Sequence, residues 1–320
     1  NAGGMRAVKY GCTRDYVKAM TVVLPTGEIV KMGATVSKTS SGYSLLNLII
    51  GSEGTLGIIT ELTLKLIPAP KQTVSLICPF EDLATCISTV PLFKKAHMDP
   101  QALEFFEREI LISSEEYLGK AVFPRNIGGQ DVGAYLLVTF DANTQDAIDA
   151  LVEQAAELVV EAGAMDVLVA DTPAKMKDAW AARSSFLEGI EEQTKLLDEC
   201  DVVVPVTQIP EYVVYADTLA KNYDFQLQYF GHAGDGNLHP SILCDKRDKE
   251  EFSRVERAVD DLFNVALELG GTLSGEHGIG TSKKKWLELE TSKGTLEYMR
   301  RMRSAFDPKK LLNASKIVSL

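Results

Sequence analysis

Residues 134–170 carry the pattern that most restricts the fold. AYLLVTF (134–140) is a short apolar run of strand type. A helical stripe follows, with Ile148, Leu151, Val152, Ala155 and Val159 at i, i+3, i+4, i+7 and i+11. Asn143 or Thr144 caps that helix, Gly163 stops it, and MDVLVA (165–170) is the paired strand. An earlier segment repeats the order: VSLICPF (74–80) reads as a strand, EDLATCISTVPLFKKAHM as a helix kinked at Pro91, and ALEFFER as the next strand. Two strand–helix–strand units in series predict an antiparallel sheet with helices on one face, a ferredoxin-like α+β lobe.

The chain ahead of this lobe reads differently. TVVLPTGEIVKMG (21–33) alternates β-branched residues around a Pro-Thr-Gly-Glu reversal, as a hairpin does. A short helix is expected from about Gly42 to Ile50, then the loop GSEGTLG (51–57), then the strand IITELTLKLI (58–67). PAP at 68–70 stops that strand and marks a domain boundary. After the lobe come a helix carrying WAARSSFLEGIEEQT (180–194), a strand at DVVVPV (201–206) and a helix near 210–222. FQLQYFGH and LHPSILC flank a glycine-rich loop, and SRVERAVDDLFNVALELGG (253–271) is a long amphipathic helix. The expected division is residues 1–70, 71–275 and 276–320.

Composition narrows the function classes. A chain of 320 residues supports two lobes, and its net charge of −12 argues against a nucleic-acid groove, which needs clustered Lys and Arg. The five cysteines (Cys12, Cys78, Cys86, Cys200 and Cys244) contain no C-x-x-C pair, which excludes the usual iron–sulfur and zinc-ribbon spacings and fits a reducing cytoplasm. No apolar run reaches the roughly 20 residues that span a bilayer, so any membrane contact is expected through a partner. The chain opens at Asn1 in the middle of a motif, NAGGMRAVKYG, and is expected to be the later part of a longer polypeptide.

Chemistry concentrates in the histidines. Of four in the chain, two lie seven residues apart in GHAGDGNLHP (231–240), and a third lies in GEHGIG (275–280). On one straight strand His232 and His239 would face opposite sides. The Asp235-Gly236 reversal removes that parity and can bring both imidazoles to one spot at a sheet edge, as a metal requires. Glu276 offers a carboxylate, so that His232, His239 and Glu276 form a His₂-carboxylate set with open positions. His277, its neighbour, would point the other way, free to act as a base. The alternative is that each histidine is a hydrogen-bonded structural residue at a strand end. No H-E-x-x-H helix supports a zinc hydrolase, and GSEGTLG is not a G-x-G-x-x-G dinucleotide fingerprint.

Taken in order, NAGGMRAVKYG, GSEGTLGIIT, GHAGDGNLHP, SGEHGIG and DPKKLLNASKI resemble the FAD-linked oxidase family of D-2-hydroxy acid dehydrogenases, along essentially the whole chain. This family includes flavin-dependent D-lactate dehydrogenases, the flavin subunit of glycolate oxidase and D-2-hydroxyglutarate dehydrogenase. The resemblance implies that residues 1 to about 70 are the second half of a vanillyl-alcohol-oxidase-type FAD domain, whose pyrophosphate-binding part lies ahead of Asn1. The α+β lobe would then be the cap over the flavin, and the C-terminal segment would return to it. It also implies FAD as cofactor, with Glu53, Gly54, Gly57, Ile59 and Asn313 at the family's flavin contacts. His232, His239 and Glu276 match its divalent-metal ligands (zinc, iron or manganese), His277 its catalytic base, and Arg183 its substrate-carboxylate arginine. The family's Asn-Pro-Gly-Lys tail is NASK (313–316) here.

Two positions bear on substrate. Relatives that act on dicarboxylates use a Thr and a Lys where this chain has Leu187 and Glu199. A leucine offers no hydrogen bond, and a glutamate repels a second carboxylate. A short D-2-hydroxy acid, D-lactate first, is therefore expected to be oxidised to the 2-oxo acid. The alternatives are the flavin subunit of a multi-subunit glycolate oxidase and, from another class, a non-catalytic flavin relay. Reduced flavin must pass its electrons on, so a partner is implied: an electron-transfer flavoprotein, a quinone, a cytochrome or an iron–sulfur subunit.

Overall fold

A computed structural model describes residues 1–193, 197–244 and 248–319. The chain forms two compact units, one built from residues 1–4, 11–68 and 273–320, the other from residues 5–10 and 69–272.

The first unit is organised on a three-stranded antiparallel sheet. β1 (Val17–Val23) lies in the middle, with β2 (Ile29–Gly33) and β3 (Ile58–Leu64) on either side. The β1–β2 hairpin closes at the expected place: Gly27 N donates to Leu24 O at 2.8 Å, and the register pairs Val22 with Val30 and Met20 with Met32. The apolar residues on one side of this sheet, Val17, Met20, Val22 and Met32, pack with Ile49, Ile50 and Leu56. Ile49 comes from the short helix α1 (Leu45–Ile49), which leads into the GSEGTLG loop. Later in this unit come two helices, at Lys284–Glu290 and Lys293–Phe306, and then the tail.

The second unit is an α+β lobe on an eight-stranded sheet. Its strands are β4 (Gln72–Phe80), β5 (Ala102–Glu107), β6 (Ala134–Ala142), β7 (Leu168–Ala170), β8 (Leu197–Glu199), β9 (Val202–Val203), β10 (Gln226–His232) and β11 (Asn237–Leu243). The order is β8-β11-β10-β5-β6-β4-β7, with β9 also on β11, and all neighbours are antiparallel. β4 and β5 flank β6, while β6 and β7 flank β4. The two strand–helix–strand units are thus interleaved, which is the ferredoxin-like arrangement.

Helices cover both faces of this sheet, not one. α2 (Leu83–Lys95), which runs through Pro91, and α4 (Gln145–Glu161) are the crossover helices. α3 (Arg108–Leu118), α5 (Pro173–Ser184) and α6 (Phe186–Gln193) pack Ile110, Leu111, Ala179, Ala182, Phe186 and Ile190 against Ile77, Phe106, Tyr135, Leu137 and Phe230 of the sheet. The physical reason is visible in β6, where every residue from Ala134 to Asp141 is buried. A strand wrapped on both sides is continuously apolar instead of alternating. The single helix expected over 180–194 is two helices within the described residues, because the first ends at Ser184 and Ser185 (φ −104°, ψ 20°) is its cap. Thr144 is the cap of α4, its hydroxyl accepting from Ala147 N. Among the described residues no helix is long and apolar enough to cross a membrane.

Candidate functional site

In the second unit the site is assembled by strand register. β10 pairs with β11 so that His232 stands opposite Asn237 and Phe230 opposite His239. Alternate residues of a strand share a face, so His232, Phe230 and His239 all leave the same side of the sheet. The two imidazoles become diagonal neighbours with ring centroids 5.3 Å apart and planes at 87°. His239 stacks on Phe230 at 5.0 Å, which fixes its ring. Both histidines are buried, at 6 % and 2 % exposure.

The reversal that produces this register runs through residues 233–236. Gly236 N donates to Ala233 O, and Gly236 itself adopts φ +84°. A Cβ there would stand 2.0 Å from Val204 O, so glycine is needed twice over, for conformation and for space. Asn237 then anchors the loop exit, its amide donating to Asp201 Oδ1 at 2.8 Å and Val202 O at 3.0 Å.

On the other side of β10 lies β5, and there the register sets Glu104 directly opposite His232. Glu104 is wholly buried, with its two oxygens 2.9 and 2.8 Å from His232 Nδ1. Arg183, on α5, meets the same carboxylate through Nε at 2.9 Å and an Nη at 2.7 Å. Its guanidinium carbon lies 5.1 Å from the Phe186 ring centroid and 4.9 Å from that of Phe230, within cation–π range. Arg183 is therefore more than a surface ion pair: at 6 % exposure it is held in a buried, charge-matched slot beside the histidines. Leu187, one turn further along, is 36 % exposed, and the side chain of Glu199 lies outside the described residues.

In the first unit a cavity of about 830 Å³ is lined by Glu53, Gly54, Gly57, Ile59, Glu276, His277 and Asn313, among others. Its volume is that of a small-molecule or cofactor pocket. The Glu53 carboxylate is turned to the GEHGIG loop, where it accepts from Ile279 N at 2.7 Å and Gly280 N at 2.8 Å. Gly278, at φ +83°, passes so close that a Cβ would fall 2.6 Å from Glu53 Oε1. Asn313 closes the other wall by donating Nδ2–H to Glu53 O at 2.7 Å. Within this cavity His277 is exposed and Glu276 half-buried.

The tail that carries Asn313 is held by Arg303, a buried residue that sequence reading passed over. Its guanidinium donates to the carbonyls of Leu312 at 3.1 Å, Lys316 at 2.5 Å and Val318 at 2.8 Å, and to that of Asn313. Asp307 adds a bond from Leu312 N at 2.7 Å. NASK thus takes its shape from Arg303 and Asp307. Glu104 was also passed over, although a carboxylate inside the apolar strand ALEFFE was a visible signal for it.

The comparisons agree with this architecture. Residues 69–317 match the family model of FAD linked oxidases, C-terminal domain. The D-lactate dehydrogenase of Anaerostipes hadrus is 58% identical over 318 residues, covering 99% of this chain and 67% of that one. Glycolate oxidase subunit GlcD of Bacillus subtilis (strain 168) is 37% identical over 319 residues, covering 99% and 66%. The chain thus spans about two thirds of the length of these curated relatives. Among solved structures, substrate-bound p-cresol methylhydroxylase superposes with a TM-score of 0.73 at 14% identity, covering 95% of this chain and 65% of that one. The α+β fold is therefore of the vanillyl-alcohol-oxidase type, and this chain belongs to the family of FAD-linked oxidases.

Proposed function

We propose that the chain belongs to an FAD- and divalent-metal-dependent dehydrogenase that oxidises a short D-2-hydroxy acid, with D-lactate preferred, to its 2-oxo acid. The observation that carries this reading is the same-face pair His232–His239, buried beside the Glu104–Arg183 ion pair. Two imidazoles so arranged fit a first-row divalent ion, since both offer neutral nitrogen donors from a rigid sheet and one ring is oriented by a carboxylate. Glu276 is taken as the third ligand on the family resemblance. When bound, FAD accepts two electrons and the Cα hydrogen as a hydride, and the metal lowers the pKa of the substrate hydroxyl.

The chain's own residues supply the remainder. His277 takes the hydroxyl proton, and Arg183 holds the substrate carboxylate. Because Nε and one Nη of Arg183 are turned to Glu104, the substrate would be met by the other Nη. Glu53, Gly54, Gly57, Ile59 and Asn313 would contact the flavin along the walls of the cavity they line, Glu53 through its backbone. Electrons pass onward to a protein or quinone acceptor.

The 58% identity to a D-lactate dehydrogenase supports lactate over glycolate, while the 37% relative supports a flavin subunit of a multi-subunit glycolate oxidase as the second reading. The test is steady-state turnover of the full-length protein on D-lactate, L-lactate, glycolate and D-2-hydroxyglutarate with an artificial acceptor. D-lactate should give the highest kcat/KM, and His277→Ala should lower it by about 10²–10⁴-fold. An unchanged rate in that variant would sink the assignment, and activity on glycolate alone, gained only with partner chains, would move it to the second reading.

A further inference from the structure

We propose that Glu104 is a positioning residue that sets the tautomer of His232 and the seat of Arg183 together, an inference that rests on the metal-dependent reading above. Register places Glu104 and His232 directly opposite on neighbouring strands, so their side chains leave the same face with no intervening turn or bulge. Both carboxylate oxygens reach the same ring nitrogen, at 2.9 and 2.8 Å from His232 Nδ1. A carboxylate paired with arginine accepts and does not donate. The proton of the neutral imidazole is therefore held on Nδ1, and the lone pair lies on Nε2, on the ring edge turned from Glu104. That is the form of imidazole that binds a metal.

Oε2 serves a second purpose. It takes Nε and one Nη of Arg183 at 2.9 and 2.7 Å, while the rings of Phe186 and Phe230 both lie within cation–π range of the guanidinium. If Glu104 were only a counter-ion for Arg183, Oε2 alone would satisfy the pair. The approach of both oxygens to His232 assigns the further role. One buried carboxylate thus couples the substrate-carboxylate arginine to a metal ligand, so that neither moves without the other.

The test uses the full-length, FAD-loaded protein, stripped of metal and titrated with Co²⁺ and with Zn²⁺ against a chelator of known affinity. Glu104→Gln is close to isosteric and can still accept from Arg183, but an amide facing Nδ1 would favour the proton on Nε2. Metal affinity should fall by about 10–100-fold, and Glu104→Asp, which keeps the charge but retracts by one methylene, should bind with intermediate affinity. A folded Glu104→Gln protein with wild-type metal affinity would overturn the inference and leave Glu104 as a counter-ion. If Glu104→Gln does not fold, Glu104→Asp carries the test: weaker metal binding at an unchanged melting temperature supports the role, and unchanged affinity overturns it. Wild-type protein that binds neither metal would overturn the proposed function and this inference with it, whereas wild-type binding that the variants leave unchanged overturns the inference alone.

Discussion

Gly236→Ala probes the reversal on which the histidine pair depends. Two effects add. An alanine held at φ +84° costs about 1–2 kcal/mol for its left-handed backbone. Its Cβ would also stand 2.0 Å from Val204 O, where an ordinary contact is about 3.5 Å, so the two backbones must part by roughly 1.5 Å. That displacement breaks the 3.1 Å bond from Val204 N to Gly236 O and the 3.0 Å bond from Asn237 Nδ2 to Val202 O, at about 1 kcal/mol each. The sum is about 3–4 kcal/mol, or roughly 6–16 °C in melting temperature for a unit of this size. Gly270 is the control, because it has nearly the same φ, +82°, with nothing within 4 Å of its Cβ position. Gly270→Ala should show the backbone part only, about 1–2 kcal/mol. The assay is thermal unfolding followed by near-ultraviolet circular dichroism on both variants in parallel. Equal losses at the two positions would refute the close-approach argument, and with it the claim that space as well as conformation fixes this turn.

Other perturbations act elsewhere. Arg303→Met removes the donors to four tail carbonyls and should lower stability by about 3–5 kcal/mol, with weaker flavin retention measured by ultrafiltration; full retention would detach the tail from the cofactor site. Arg183→Lys loses the fork that spans Glu104 and should raise KM for D-lactate at least 10-fold, as initial rates over a substrate series will report. Glu107 gives a pH dependence: burial first of all pushes its carboxyl from 4.5 up to about 8. The folded chain there holds a proton that the unfolded chain releases, so this contribution is whole below about 4.5 and declines as the pH climbs to about 8. Glu107→Gln should therefore raise the denaturation midpoint relative to wild type more at pH 8 than at pH 5, and equal shifts at both would contradict it.

Much of this was legible in the chain because local signals and packing agree. The hairpin at 21–33 announces itself through Pro25, Gly27 and alternating β-branched residues, and α4 through Thr144, its apolar stripe and Gly163. The pairing of His232 with His239 followed from Asp235-Gly236, since a reversal undoes strand parity. What the chain did not disclose is non-local. Glu104 is 128 residues from His232 in sequence, and only the β5–β10 register makes them neighbours. The tail geometry depends on Arg303 reaching carbonyls up to 15 residues away. That helices cover the second face of the sheet was hidden for a related reason, because a strand covered on both faces shows no period to read. The break at Ser185 divides what composition alone joins.

On the proposed function, a metal at the histidine pair and the flavin act together on a D-2-hydroxy acid. The most direct measurement is anaerobic mixing of the full-length, FAD-loaded protein with D-lactate, following flavin absorbance before and after treatment with a chelator and after return of Zn²⁺ or Mn²⁺. D-lactate should bleach the flavin rapidly, chelation should abolish the bleaching, and restored metal should recover it. Bleaching that chelation leaves untouched would contradict the metal's part, and no bleaching by any 2-hydroxy acid would favour a flavin that only relays electrons.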